Sequence, residues 1–140
     1  MDKKIIITIP HYNNPVGLIN TISSINDPIK IDIVITDDGS EIKLDEHQVR
    51  SKYNNKGNIH FIYLDKNYGV GIAANKCLEY VKNKSYKYVA RLDAGDISYK
   101  NKFSKQIEFL EKNNQIMLVG TWARVLDNEG NLLFYIKNSL

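Results

Sequence analysis

The sequence is poor in cysteine, with Cys77 as the single example among 140 residues. One cysteine excludes a disulfide framework and a metal cluster held by several thiolates of this chain. Because Cys77 falls within an apolar helical pattern, we interpret it as a small core residue rather than a catalytic thiol.

A strong charge of one sign and a long apolar run are lacking as well. The 19 Lys and Arg residues against 16 Asp and Glu residues leave a net charge of only +3, and the basic residues are scattered along the chain. We therefore expect no nucleic-acid partner. The apolar stretch 5–9 is too short for a signal peptide or a membrane span, so we expect a cytoplasmic protein. Peripheral association with the inner face of the membrane and formation of a homodimer stay open.

The chain has enough apolar residues, 43% of 140, for the core of one domain. Strand-like and helical segments alternate four times, which is typical of an α/β fold with a mainly parallel central sheet and helices on both faces. The predicted strands are 4–10, 31–36, 59–64 and 88–92. The predicted helices are one capped by Asn14-Pro15 and reaching Ile25, a short one within 41–53, one over 70–82 and one through 103–110. The tail 116–136 predicts strands joined by a turn at 127–131.

Polar or glycine-rich loops follow the four predicted strands, at residues 11–14, 37–40, 65–71 and 93–96. Ligands of parallel α/β sheets bind beyond the carboxyl ends of the strands. The loops are therefore expected to converge on one edge of the sheet and to form a ligand site. His11 lies near this edge, but the sequence gives it no identifiable role.

Local chemistry leaves two interpretations of each acidic loop. Asp37 and Asp38 form either an Asx-type turn that caps the next helix or a carboxylate site for a base or ribose. Asp93 and Asp96 form either a solvated turn that caps a helix or a pair of hard oxygen ligands for Mg²⁺ or Mn²⁺.

The glycine loop before the third predicted helix also has two interpretations. Gly69 and Gly71 lie where free N–H groups favour phosphate. The spacing Gly69-x-Gly71-x-x-Ala74, with Asp93 about twenty residues further on, also matches an NAD-type dinucleotide fingerprint. That match is weak, because residues 65–68 separate the strand from Gly69.

Four segments in order, IIITIPHYNN, IVITDDGSE, NYGVGIAANKCL and RLDAGDIS, resemble the family 2 glycosyltransferases. These are inverting enzymes with the GT-A fold, a Rossmann-like nucleotide-diphospho-sugar transferase fold. The likeness extends from about Ile5 to Leu110. It implies a truncated GT-A fold and a single nucleotide-sugar-binding domain over residues 1–140. The implied donor is a nucleoside diphosphate sugar, and we predict a UDP-sugar because Tyr12 and Asp38 suit a small base held by stacking and one carboxylate. The implied acceptor is a saccharide or lipid-linked molecule, in cell-surface polysaccharide or lipooligosaccharide synthesis.

The resemblance also implies roles for individual residues. Pro10 and Tyr12 would border the nucleoside, with Tyr12 against the base, and Asp38 would bind the base or ribose. The other implied nucleotide-binding residues are Asn13, Asn67, Gly69, Asn75, Arg91 and Asp93.

Asp93 and Asp96 fall in the region of the family's metal-binding motif, so the resemblance implies a divalent metal cofactor, Mn²⁺ or Mg²⁺. Two positions depart from the family pattern. Gly95 stands where a further aspartate is common, and Ala74 stands where arginine is frequent. Either Asp96 takes over ligation or metal binding is weakened.

The family's catalytic base, a carboxylate that deprotonates the acceptor hydroxyl, lies well downstream of the aspartate motif. We therefore expect the base and the acceptor-binding half beyond Leu140, and no catalytic residue is assigned within the chain. The alternative to a donor-binding part of an enzyme is a non-catalytic nucleotide-binding or partner module.

Overall fold

Four strands pair in parallel in the order β3-β2-β1-β4. The computed structural model describes residues 3–137. Its parallel strands are β1 (Lys3–His11), β2 (Asp32–Asp37), β3 (Ile59–Tyr63) and β4 (Tyr86–Arg91). The central strands β1 and β2 are β-branched and buried over almost their whole length, whereas the edge strand β4 alternates between half-buried and exposed residues.

The helices are α1 (Pro15–Ser24), α2 (Glu46–Ser51), α3 (Val70–Lys82) and α4 (Lys102–Lys112). Asn14 caps α1 as predicted, because its side chain accepts the backbone N–H of Gly17 and proline occupies the first helical position. The bounds of α3 agree with the predicted helix. The helix α2 is shorter than the predicted segment, since its N-cap is Asp45.

The direction of the strand connections places the helices. Chain order runs from β1 to β2 to β3 and then returns across the sheet to β4. Because crossovers between parallel strands are right-handed, α1 and α2 cover one face and α3 the other. Cys77 and Val81 of α3 pack with Ile6 of β1 and Val34 of β2. The predicted parallel sheet with helices on both faces is confirmed, and Cys77 is a buried core residue.

The chain divides into two compact units, Met1–Ser104 and Lys105–Leu140. The first unit contains the parallel sheet. The second contains an antiparallel hairpin of β5 (Ala123–Leu126) and β6 (Leu132–Ile136), whose turn is held by the Asp127 carboxylate accepting backbone N–H groups. The predicted strands and turn of the tail are therefore confirmed. The single nucleotide-sugar-binding domain over residues 1–140 stays a prediction.

Within residues 3–137, no helix is both long enough and apolar enough to cross a membrane. The longest helix, α3, has 13 residues.

Candidate functional site

The carboxyl ends of the four strands lie along one edge of the sheet, as predicted. His11 at the end of β1 lies opposite Asp37, which in turn lies opposite Tyr63. The last residue of β4, Arg91, lies opposite Thr8. The loops after β1, β2 and β3 therefore begin at the same position along the strand direction. The loop after β4 begins nearer the amino end of β1, beside Thr8.

His11 joins the first two of these loops. Its Nδ1 lies 2.9 Å from Oδ2 of Asp37, and both side chains are buried. Its Nε2 accepts the backbone N–H of Asn14 at 3.1 Å. Since Nε2 is an acceptor, the ring proton lies on Nδ1 and is donated to Asp37. Asp37 also accepts the backbone N–H of Ser40 at 2.8 Å. No role for His11 could be predicted from the sequence, because its two partners lie on different elements.

Asp38 joins the second loop to the third. Its two carboxylate oxygens accept the backbone N–H groups of Tyr68 and Gly69, each at 2.8 Å, and the residue is only 2% exposed. The carboxylate therefore fixes the chain where it enters α3. The interpretation of Asp37 and Asp38 as a cap for the next helix is wrong, since α2 is capped by Asp45.

Gly39 lets these two loops approach each other closely. Its φ of +68° lies in the left-handed region, and a Cβ at this position would collide with the backbone of Lys66. Only glycine combines that conformation with that contact. The glycine of the TDDGS segment is thus a packing requirement of the site.

A pocket of about 190 Å³ opens at this edge of the sheet. The residues that line it are Pro10, His11, Tyr12, Asp38, Asn67, Val70 and Ala73. Four of these, Pro10, Tyr12, Asp38 and Asn67, were predicted nucleotide contacts. Tyr12 is 46% exposed and offers an aromatic face. Each Asp38 oxygen retains a second lone pair, so the carboxylate can still accept a hydrogen bond from a ligand.

The other predicted nucleotide contacts lie outside the lining of this pocket. The Asn13 side chain accepts the backbone N–H groups of Glu41 and Ile42 and so ties the first loop to the chain after β2. Gly69 donates its N–H to Asp38. Asn75 is exposed on α3. Contacts of Asn13, Gly69 and Asn75 with a nucleotide stay predictions.

The loop after β4 presents two exposed aspartates. The backbone N–H of Asp96 bonds to the carbonyl of Asp93 at 3.1 Å, and Gly95 between them has φ +106°. A turn with its third residue at positive φ favours glycine. An aspartate at position 95 would therefore be strained in this conformation of the loop.

The interpretation of these aspartates as a cap for the next helix is wrong. The first turn of α4 is capped from a distance by Asp27, whose Oδ2 accepts the backbone N–H groups of Phe103 and Ser104 at 3.0 and 3.2 Å. Asp93 instead pairs with Arg91 at 3.0 Å, both side chains being 54% exposed. Burial lowers the pKa of the nearby Lys102, and the charge of Asp96 opposes that shift.

The donor set of the aspartate loop fits a hard divalent ion. Mg²⁺ and ions like it commonly bind one or two carboxylates and take their remaining ligands from water and substrate phosphates. Asp93 and Asp96 supply two exposed carboxylates of this kind. Over the described range 3–137, no three His, Cys, Asp or Glu side chains come together as a metal site, so a complete protein cage is not formed. The Mn²⁺ or Mg²⁺ cofactor stays a prediction.

Comparison with known proteins identifies similar chains. The model of Glycosyl transferase family 2 matches residues 6–137. An archaeal protein named uncharacterized glycosyltransferase MJ1057, from Methanocaldococcus jannaschii, is 31% identical over 98% of this chain and 48% of its own length. The amylovoran biosynthesis glycosyltransferase AmsE of Erwinia amylovora is 36% identical over 48% of this chain and 24% of its own length.

A solved structure shares the fold. S. aureus TarS 1-349 in complex with UDP superposes with a TM-score of 0.66 at 25% identity, covering 79% of this chain and 33% of that one. The chain spans less than half the length of each of these three proteins. The expected GT-A fold is confirmed.

Proposed function

Because the chain belongs to glycosyl transferase family 2, we propose that it forms the donor-binding part of an enzyme that transfers a sugar from a nucleoside diphosphate sugar. The observation that carries the proposal is the pocket beyond the ends of the first three strands, which Tyr12, Asp38 and Asn67 line. The aspartate loop follows β4, which pairs with β1 in the same sheet. UDP in complex with the related TarS chain supports UDP as the nucleotide.

The residues of the pocket suit a small polar base. The exposed face of Tyr12 stacks on the base, and Asp38 accepts an N–H from the base or a hydroxyl from the ribose. His11 and Asp37 keep the first two loops in place, and Asp38 keeps the third loop in place through its bonds to Tyr68 and Gly69. The pocket is therefore held in a binding geometry before the nucleotide arrives.

Asp93 and Asp96 would hold the divalent ion. When bound, such an ion offsets the negative charge that grows on the leaving nucleoside diphosphate. Without a bound ion, the Arg91 guanidinium pairs with the Asp93 carboxylate. When that carboxylate binds the divalent ion, Arg91 becomes available to donate to phosphate oxygens of the nucleotide.

In the proposed transfer, an acceptor hydroxyl attacks the anomeric carbon of the donor sugar with inversion. The bond from that carbon to the diphosphate oxygen breaks, the nucleoside diphosphate leaves, and the proton of the hydroxyl goes to a carboxylate base, for which we assign no residue of this chain. The acceptor is a saccharide or a lipid-linked saccharide. The proposed role is in cell-surface polysaccharide synthesis, on the cytoplasmic side of the membrane. A similar glycosyltransferase named for amylovoran biosynthesis supports the biosynthetic part of this proposal.

A panel of nucleoside diphosphates tests the choice of base. We expect UDP to bind at least about tenfold more tightly than ADP or GDP, because the pocket offers one aromatic face and one carboxylate and a purine needs more room. Calorimetric titration of each nucleotide into the chain with Mn²⁺ present measures this difference.

Tighter binding of GDP or ADP would contradict the choice of UDP and leave the nucleotide site itself in place. An absence of binding by every nucleotide in the panel would contradict the proposed function.

A further inference from the structure

Thr21 of α1 contacts the loop that carries Asp93 and Asp96. The residue is completely buried. Its Oγ1 accepts the backbone N–H of Gly95 at 2.8 Å and donates to the carbonyl of Asp96 at 2.8 Å, with the carbonyl of Asp93 at 3.4 Å. A single hydroxyl thus satisfies polar backbone groups within the turn between the two aspartates.

Ser24, one turn further along the helix, extends this contact. Its hydroxyl accepts the backbone N–H of Ser98 at 2.9 Å and donates to the carbonyl of Thr21 at 2.7 Å. The helix that carries both hydroxyls is anchored in the core by Leu18 and Ile22, which are fully buried. The aspartate loop is therefore attached to a rigid element and not only to the end of β4.

We propose that Thr21 is a positioning residue for the divalent-cation site formed by Asp93 and Asp96, with Ser24 as its support. This inference rests on the proposed function, since it assigns a role toward the ion of that site. The two aspartates are exposed, and no hydrogen bond or ion pair among residues 3–137 engages the Asp96 carboxylate. The backbone of the turn and the charge of the nearby Lys102 therefore set where that carboxylate lies.

Divalent ions of this class demand close control of ligand placement, because Mg²⁺ requires near-ideal octahedral geometry. Residues that hold metal ligands from behind typically change metal affinity by about 10–100-fold when they are replaced. Thr21 acts one step further back, since its hydroxyl bonds to the backbone of the turn and not to the two carboxylates, and its side chain is completely buried. We therefore expect an effect at the lower end of that range.

The substitution Thr21→Val keeps the shape of the side chain and removes the hydroxyl, so the N–H of Gly95 and the carbonyl of Asp96 lose their partner. Thr21→Ser retains the hydroxyl. Ser23→Ala is the matched control, because Ser23 lies on the same helix and, among residues 3–137, its exposed hydroxyl bonds only to the carbonyl of Ile19.

The test titrates UDP and uridine into the parent chain and the three variants, each with MnCl₂ and with a chelator. We expect Mn²⁺ to tighten UDP binding in the parent, in Thr21→Ser and in Ser23→Ala. In Thr21→Val the enhancement by Mn²⁺ should fall about tenfold, while uridine binding stays as in the parent. A purely structural role would lower the melting temperature and weaken uridine and UDP binding together.

The outcomes separate this inference from the proposed function. A parent chain that responds to Mn²⁺ and a folded Thr21→Val variant that responds equally would overturn the role of Thr21 alone. A parent chain with the same UDP affinity in Mn²⁺ and in chelator would overturn the metal site, and the role of Thr21 with it. If Thr21→Val does not fold by circular dichroism, Ser24→Ala takes its place. A fall of about threefold in the Mn²⁺ enhancement then supports the inference, and an unchanged enhancement contradicts it.

Discussion

Replacing Asp38 with Ala is expected to lower the free energy of unfolding by about 3 kcal/mol and to weaken UDP binding by about 100-fold or more. The stability loss follows from two hydrogen bonds to a buried carboxylate, since the N–H groups of Tyr68 and Gly69 would lose their acceptor. The binding loss has two sources. The ligand loses the carboxylate of the pocket, and the chain next to Asn67 loses the two bonds that hold it to the loop after β2.

Urea unfolding and calorimetric titration of UDP measure the two effects of this substitution. Asp65→Ala is the matched control, because Asp65 is an exposed carboxylate of the same loop whose side chain accepts only the hydroxyl of Tyr68. We expect the control to change stability by less than about 0.5 kcal/mol. An Asp38→Ala variant with the stability and UDP affinity of the parent would contradict both roles of this carboxylate.

Asp96→Asn is expected to remove the metal-dependent part of UDP affinity completely and to leave the fold unchanged. The neutral amide is a much poorer ligand for a hard divalent ion than the carboxylate is. The side chain of Asp96 is exposed, and the cap of α4 belongs to Asp27, so stability should not change. Titrations of UDP into the parent and the variant, each with Mn²⁺ and with chelator, measure the effect.

Uridine is the control ligand for the Asp96→Asn titrations, because it has no phosphate through which the ion could act. Its affinity should be the same in the parent and the variant. If UDP binds equally in all four titrations, Asp93 and Asp96 form no metal site, and the loop is a solvated turn.

Much of the fold could be predicted from local sequence. The apolar residues of α3 recur at helical spacing from Val70 to Val81, and the structure begins and ends this helix where the pattern does. The buried β-branched strands were equally clear. The start of α2 could not be predicted, because the polar segment before it has too few apolar residues to show a helical period. In the structure this helix begins only after its N-cap, Asp45.

The site could be predicted in outline but not in its connections. The rule that loops meet at the carboxyl edge of a parallel sheet placed Tyr12, Asp38 and Asn67 together. The partners of those loops could not be inferred, because each lies far along the chain. Thr21 bonds to residues more than 70 positions away, and Asp27 caps a helix 76 positions later. Such contacts leave no periodic or local signal.

We propose above all that UDP binds at the carboxyl edge of the sheet, in the pocket between the first three loops. The most direct test follows the backbone amide resonances of isotope-labelled chain while UDP and Mg²⁺ are added. We expect the largest shifts at residues 11–14, 38–40 and 66–73, and further shifts at 93–98 that require Mg²⁺. Resonance shifts confined to the hairpin or to α2, or no shifts at millimolar UDP, would contradict this binding site.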